Sequence, residues 1–198
     1  MNQWDDESCD WHGLETDGER PRYAAIAEQI DGRKAKTVLD VGCGTAVLSS
    51  FLSVDIIYKG VEPSSKAVAE AKTRNVSVVH ATAEEFSPDH IWDSMVFNEV
   101  LYYAMDPIGL LRKYSRALRP SGTIIISIFQ KGGSPSLKRR ITHWMDPRRP
   151  MSNLQCAEMV LEFIHHEGWT VLVDRQVPSL QGDTCWRLLV VEPRVSAA

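Results

Sequence analysis

Residues 37–49 read TVLDVGCGTAVLS, and the pattern of this stretch is the basis for predicting the fold. A β-branched and apolar run, 37–41, leads into Gly42 and Gly44, and an apolar, helix-compatible stretch begins at Ala46. Glycine adopts the positive φ angles of a tight turn and lets bare backbone approach a ligand. A helix start adds unpaired N–H groups and the positive end of a dipole. The stretch therefore predicts a strand, a glycine turn and a helix that together cradle a ligand.

The spacing around the glycines indicates which ligand this cradle fits. A dinucleotide fingerprint needs a third glycine at position 47, which is Val47, and no Gly-Lys-Ser/Thr follows as in a phosphate-binding P-loop. Asp40 ends the first strand, and a second acid, Glu62, ends the next one. A carboxylate about 20 residues beyond the turn is placed to accept the hydroxyl protons of a ribose. These residues predict a nucleoside ligand that carries no pyrophosphate.

Five motifs over roughly residues 35–130 resemble the class I S-adenosylmethionine-dependent methyltransferase family. They are, in the family's order, VLDVGCGTAVLS (38–49), GVEPS (60–64), ATAEEF (81–86), FNEVLYY (97–103) and LRPSGTIIIS (118–127). The resemblance implies a Rossmann-like, doubly wound α/β fold: a seven-stranded sheet, mostly parallel with an antiparallel last strand, and helices on both faces. It also implies S-adenosyl-L-methionine as the cofactor and S-adenosyl-L-homocysteine as its product. Ala46 departs from the family's usual third glycine, and we expect slight narrowing near the methionine moiety with binding retained.

The resemblance also assigns residues to the cofactor and to the acceptor of the methyl group. Glu84 has an alternative interpretation as an exposed acid at a helix start, and the Tyr102–Tyr103 pair as ordinary packing. The cofactor-binding residues implied are Asp40, Gly42, Gly44, Thr45, Glu62, Pro63, Ala83, Glu84 and Asn98. The acceptor-binding residues implied are Trp11, Tyr102, Tyr103 and Trp144.

The chain reads as a single domain, 1–198, with four parts. We expect an N-terminal lid and helix (1–34), a cofactor-binding core (35–130), a cap insertion (131–153), and a helix with a strand pair (154–198). The lid is acidic, and the cap carries six basic residues against one acid, Asp146. Opposite charges favour closure of the two parts over a substrate, weakly and in a salt-dependent way. The alternatives are a loose N-terminal extension and a solvated basic face.

The chemistry implied is in-line transfer of the sulfonium methyl group to an O, N, S or C nucleophile. Because the sulfonium is already activated, the protein mainly supplies alignment and exclusion of water. A base is needed only where the nucleophile must lose a proton. The candidates for that base are Tyr103, His143 and His12. The family's usual histidine after Glu99 is replaced by tyrosine here, which weakens any histidine base at this point.

The composition and net charge limit the kinds of binding partner that we expect. The 198 residues carry a formal net charge of −4, which gives no general attraction to nucleic acid or to an anionic membrane. No apolar stretch is long enough to span a bilayer, and no signal peptide pattern opens the chain. Four scattered cysteines predict reduced thiols and a cytoplasmic location, and no spacing predicts a metal site. We expect a monomer or homodimer acting on a small molecule, aromatic or acidic in character.

Two other functions remain open at this level. One is a methyltransferase acting on RNA or protein; the acidic balance and the absence of the N/D-P-P-Y/F motif after strand four count against it. The other is a Rossmann protein that binds the cofactor without transferring its methyl group. The alanine at position 46 and the missing histidine leave room for that function.

Overall fold

The computed structural model describes residues 4–5, 15–130, 150–182 and 184–194. The candidate residues Trp11, His12, His143 and Trp144, and nearly all of the cap insertion, lie outside these ranges.

Seven strands form one sheet in the spatial order β3-β2-β1-β4-β5-β7-β6. All neighbouring pairs from β3 to β5 are parallel, and β7 runs antiparallel to both β5 and β6. The predicted fold, with an antiparallel last strand, is confirmed. The strands are β1 (Thr37–Val41), β2 (Ile57–Glu62), β3 (Ser77–His80), β4 (Trp92–Asn98), β5 (Leu118–Gln130), β6 (Thr170–Pro178) and β7 (Cys185–Glu192).

Within the described ranges, four α-helices begin where the sequence places caps or prolines. The hydroxyl of Ser64 accepts the N–H of Ala67, and the carboxylate of Asp106 accepts the N–H of Gly109. Ser152 and Gln155 form a complete capping box. The helices are α1 (Arg20–Gly32), α2 (Ser65–Lys72), α3 (Pro107–Ser115) and α4 (Asn153–His166).

The helices cover both faces of the sheet. Successive residues of a strand point to opposite faces. Val38 packs in a core cluster with Ile26 and Ile30 of α1, whereas Leu39 packs in the other cluster with Leu111 of α3 and Ile164 of α4. Each strand of the centre is therefore buried on both sides, which explains why these strands read as nearly continuous apolar runs.

The chain order reverses between β1 and β4, and this switch point positions the site. The carboxyl ends of β2, β1, β4 and β5 meet at one edge of the sheet, since Val41 pairs with both Val61 and Phe97, and Asn98 pairs with Ser127. Open α/β sheets bind ligands in the crevice outside such an edge.

The expected α-helix after the glycine turn is wrong. Residues Val47–Phe51 form a single 3₁₀ helix, and Leu52 is already extended. The hydroxyl groups of Ser49 and Ser50 donate to the carbonyls of Ala46 and Val47, both at 2.7 Å. Serine side chains that bond local carbonyls compete with the α-helical ladder, which is consistent with the element ending after five residues.

Candidate functional site

The glycine turn between β1 and the 3₁₀ helix turns its N–H groups inward. The N–H groups of Gly42 and Cys43 donate to the carbonyl of Val61 at 2.7 and 3.1 Å, and that of Ala46 donates to the carbonyl of Cys43 at 2.9 Å. The N–H of Gly44 donates to Oε2 of Glu62 at 2.9 Å. These four N–H groups are therefore bonded within the protein, and a turn whose donors are so engaged does not suit a pyrophosphate.

Positive φ angles explain the residues that form the turn. Gly42 has φ +70°, and a Cβ atom there would overlap the side chain of Val100. Gly44 has φ +55°, and Ala46 reaches φ +59° without being a glycine. The left-handed conformation costs an L-residue about 1–2 kcal/mol. The methyl group of Ala46 is fully buried. Alanine in place of glycine at this position therefore adds backbone strain to the turn.

Glu62 is the carboxylate that the site is built around. It ends β2 in the interior, with 2% of its surface exposed. Its Oε2 accepts the N–H of Gly44 and its Oε1 accepts the N–H of Ser64, both at 2.9 Å. These two bonds fix the carboxylate between the turn after β1 and the turn after β2. Each oxygen has a further lone pair, so the group retains the capacity to accept ribose hydroxyls.

Asp40 is a second buried acid, one strand away. Its Oδ2 accepts the hydroxyl of Tyr58 at 2.8 Å, and its Oδ1 has no hydrogen-bond partner among the described residues. Burial raises the pKa of Asp40 to about 7 and the pKa of Glu62 to about 7. The site thus contains two carboxyl groups that change charge near neutral pH.

Because we expect Glu62 to accept the ribose hydroxyls, this titration predicts that cofactor affinity rises with pH. Below about pH 7 the raised pKa keeps Glu62 protonated, and a neutral carboxyl is a weaker acceptor for ribose hydroxyls than a carboxylate. Affinity for S-adenosylhomocysteine should increase by up to about tenfold per pH unit toward pH 7 and level off above it. Stability changes in the opposite sense. Between about pH 4.5 and 7 the folded protein keeps the proton of Glu62 whereas the unfolded chain has lost it, so the free energy of unfolding decreases as the pH rises through this range.

Calorimetric titration at pH 6, 7 and 8 measures the affinity, and Glu62→Gln is the matched variant. We expect a flatter pH profile for Glu62→Gln, with any remaining slope reporting Asp40. A slope that Glu62→Gln leaves unchanged would contradict the assignment.

The loop after β3 is fastened through its carbonyl groups. The carbonyl of Ala83 accepts the hydroxyl of Tyr114 at 3.0 Å, and the carbonyl of Glu84 accepts Lys113 Nζ at 2.7 Å. The side chain of Glu84 is exposed, and its role toward the adenine stays a prediction. Phe86 packs in the core. Across from this loop, the carbonyl of Pro63 lies 3.0 Å from Nε2 of His80.

The end of β4 brings the polar and aromatic candidates together. Asn98 is half-buried and is followed by Glu99, whose φ of +64° is strained for a residue with a side chain. The carboxylate of Glu99 accepts the hydroxyl of Tyr102 at 2.8 Å. The ring of Tyr103 lies 4.9 Å from that of Tyr102 and meets the ring of Trp4 edge-on at 5.3 Å. Three aromatic rings therefore follow one another beside the switch point.

Arg22 is a residue that the motifs did not indicate. Its side chain is 3% exposed, and it pairs with Glu19 at 2.9 Å and with Glu99 at 3.6 Å. The guanidinium also lies over the ring of Trp186, 4.9 Å from its centroid. A buried arginine is rare unless it is paired. An arginine on an otherwise apolar face of a predicted helix is the sequence signal that could have found it.

Described residues of the N-terminal segment contact the cradle at three points. The carboxylate of Asp5 accepts the hydroxyls of Ser64 and Ser65 at 2.9 and 3.0 Å, next to Glu62. Glu15 accepts the hydroxyl of Thr45 at 3.2 Å and pairs with Arg74. Trp4 covers Tyr103 at the other end.

Two features are absent from the described ranges. No group of three or more His, Cys, Asp or Glu side chains among these residues is arranged to hold a metal ion. No helix in the described parts of the chain is long and apolar enough to cross a bilayer.

The chain is similar in sequence to known methyltransferases. A family model described as "Methyltransferase domain" matches residues 18–172. The ubiquinone biosynthesis O-methyltransferase of Escherichia coli O157:H7 is 30% identical over 121 residues, covering 57% of this chain and 50% of that enzyme. The chain thus spans about half the length of the curated relatives it matches.

Solved structures share the fold at low identity. The N-methyltransferase NodS from Bradyrhizobium japonicum WM9, in complex with S-adenosylhomocysteine, aligns with a TM-score of 0.69 and 17% identity over 92% of this chain and 91% of NodS. The [4+2]-cyclase SpnF aligns with a TM-score of 0.67 and 19% identity over 89% of this chain and 82% of SpnF. Likeness at these identities concerns the fold, since one fold hosts several chemistries.

Proposed function

We propose, from the fact that this chain belongs to the methyltransferase domain family, that it is an S-adenosylmethionine-dependent methyltransferase. Its acceptor is an oxygen, nitrogen or carbon nucleophile of a small molecule. The observation that carries the proposal is the buried carboxylate of Glu62, fixed between two turns by the N–H groups of Gly44 and Ser64. A carboxylate so placed, beside a turn in which four N–H groups are already bonded, suits a ribose without a pyrophosphate.

The described residues divide the cofactor site into two ends. Glu62 and Pro63 lie at the nucleoside end, and Asn98 and Glu99 at the end of β4 lie at the amino-acid end. Arg22 pairs with Glu99 at 3.6 Å, so its buried guanidinium balances the charge of that carboxylate at the end of β4. When bound, the cofactor supplies an activated methyl group. The protein then needs to align the acceptor with it and to exclude water.

Calorimetric titration with S-adenosylmethionine and S-adenosylhomocysteine, with NAD as the control, tests cofactor binding. Micromolar binding of the first two and no binding of NAD would support the proposal, and no binding of either would refute it. Formation of S-adenosylhomocysteine in the presence of small aromatic and acidic acceptors then tests transfer.

The acceptor side favours an aromatic or acidic small molecule. The rings of Trp4, Tyr103 and Tyr102 follow one another from the N-terminal segment toward the core, and planar ligands pack well on such surfaces. The cap insertion (131–153) carries six basic residues, and their positive charge suits an acidic acceptor. Among the candidates for a base, Tyr103 lies within the described residues, and His143 and His12 stay predictions from the sequence.

We also propose that the N-terminal segment is a lid over the cradle. The contact between Trp4 and Tyr103 has edge-to-face geometry, which is worth about 0.5–1.5 kcal/mol. Trp4→Ala should therefore weaken binding of cofactor or acceptor by up to about tenfold. Val54→Ala, a truncation of a fully exposed apolar side chain in the loop before β2, is the control. Affinities and KM values of Trp4→Ala equal to those of Val54→Ala would count against the lid.

A second function, cofactor binding without transfer, is kept because the fold alone does not determine the chemistry. SpnF, a [4+2]-cyclase, has the same fold. S-adenosylmethionine that stays intact on the protein with every acceptor would favour this function, whereas accumulation of S-adenosylhomocysteine would favour the enzyme.

We propose a reducing, cytoplasmic location, supported by cysteines that are free. Cys43, Cys156 and Cys185 form no disulfide, and burial raises the pKa of the Cys43 thiol and raises that of Cys156 to about 12. Thiols with such a raised pKa are poor nucleophiles. Neither is therefore a candidate for covalent catalysis.

A further inference from the structure

Asn98 and Ser127 form the last paired position between β4 and β5, at the edge of the sheet that holds the site. Ser127 is buried, with 1% of its surface exposed. Its hydroxyl donates to Oδ1 of Asn98 at 2.6 Å. That distance is typical of an O–H···O bond and short for an N–H···O bond. The amide of Asn98 therefore turns its oxygen toward Ser127.

Fixing the oxygen determines what Asn98 offers to a ligand. With Oδ1 engaged by Ser127, the two amide N–H groups are the donors that remain. A reversed amide would present an acceptor to the cradle instead. Donors match the carboxylate at the amino-acid end of S-adenosylmethionine, whereas they match neither the ammonium group beside it nor the cationic sulfonium. The direction of one hydroxyl bond thus decides which part of the ligand Asn98 recognises.

We propose that Ser127 is a positioning residue for the cofactor, which holds the amide of Asn98 with its N–H donors toward the methionine carboxylate. This inference rests on the proposed function. The carbonyl of Ser127 also accepts the N–H of Glu99 at 3.2 Å, at the residue with φ +64°. Ser127 therefore anchors both the side chain of Asn98 and the strained backbone that follows it.

The same pair of strands supplies a matched control. Ser94 is fully buried, and its hydroxyl lies 3.1 Å from Oγ1 of Thr123, its partner in the register. Ser94→Ala and Ser127→Ala thus remove the same group from the same two strands. Ser94 lies four residues before Asn98, away from the carboxyl edge.

The experiment compares two ligands. S-adenosylhomocysteine carries the amino-acid end, and 5′-methylthioadenosine retains the adenine, the ribose and the thioether without it. Ser127→Ala should weaken S-adenosylhomocysteine about tenfold, because a hydrogen bond to a charged group is lost or reversed, and should leave methylthioadenosine unchanged. Ser94→Ala should change neither affinity. Equal losses for both ligands, or a loss for Ser94→Ala as large as for Ser127→Ala, would overturn the proposal.

A double-mutant cycle tests whether Ser127 acts through Asn98. In an Asn98→Ala background, Ser127→Ala should weaken S-adenosylhomocysteine no further; additive losses would overturn the proposal. If Ser127→Ala does not fold, Asn98→Asp replaces it, since a carboxylate still accepts from Ser127 and has no donors. Asn98→Asp should weaken S-adenosylhomocysteine and spare methylthioadenosine, and equal affinities for the unchanged chain and Asn98→Asp would overturn the proposal. Failure of the unchanged chain to bind S-adenosylhomocysteine would instead refute the proposed function itself.

Discussion

Gly44→Val should abolish cofactor binding and leave a folded domain. Gly44 has φ +55°, a conformation that is disfavoured by about 1–2 kcal/mol for L-residues and most strongly for β-branched ones. Its N–H donates to Oε2 of Glu62. A turn that rearranges to accommodate valine therefore displaces the carboxylate as well as the backbone of the cradle.

Calorimetric titration with S-adenosylhomocysteine measures this loss, and Gly168→Val is the matched control. Gly168 has φ +65°, and a Cβ there would meet only Nη1 of Arg194, at 3.7 Å. It follows α4, at the opposite edge of the sheet from the site, so it introduces similar strain without touching the cradle. Binding retained by Gly44→Val would place the site elsewhere.

Glu62→Ala should weaken the cofactor by about 100-fold or more. The substitution removes the acceptor for two ribose hydroxyls, worth roughly 1.5–3 kcal/mol each when the acceptor is charged. It also leaves the N–H groups of Gly44 and Ser64 without the acceptor that orients both turns. The free energy of binding S-adenosylhomocysteine, measured by calorimetry, should therefore decrease by more than the free energy of unfolding.

Asp93→Ala is the control that separates these two effects. The carboxylate of Asp93 also accepts two backbone N–H groups, those of Lys36 and Thr37, at 2.7 and 2.9 Å. It lies near the start of β4, at the edge of the sheet away from the site. We expect Asp93→Ala to lower thermal stability and to keep cofactor affinity. Unchanged affinity in Glu62→Ala would remove its role toward the ribose.

The order of motifs along the chain is enough to predict the core of the fold. The apolar run 37–41 forms β1 with the same bounds, and the polar residues Ser64 and Asp106 cap α2 and α3. These features depend on local signals: alternation or continuity of apolar residues, and short polar side chains that accept a nearby N–H.

The glycine turn could be predicted from residues close together in the chain, and the order of the five motifs predicted the doubly wound fold and the position of Glu62. Packing in three dimensions sets where the N–H groups of the turn point, the strained backbone of Ala46, and the approach of Arg22 and Ser127 to the end of β4. Those features join residues up to 77 positions apart, such as Arg22 with Glu99. The apolar helix face marks Arg22 as unusual, but spacing along the chain does not identify its partner, since only the packing of strands and helices brings such groups into contact.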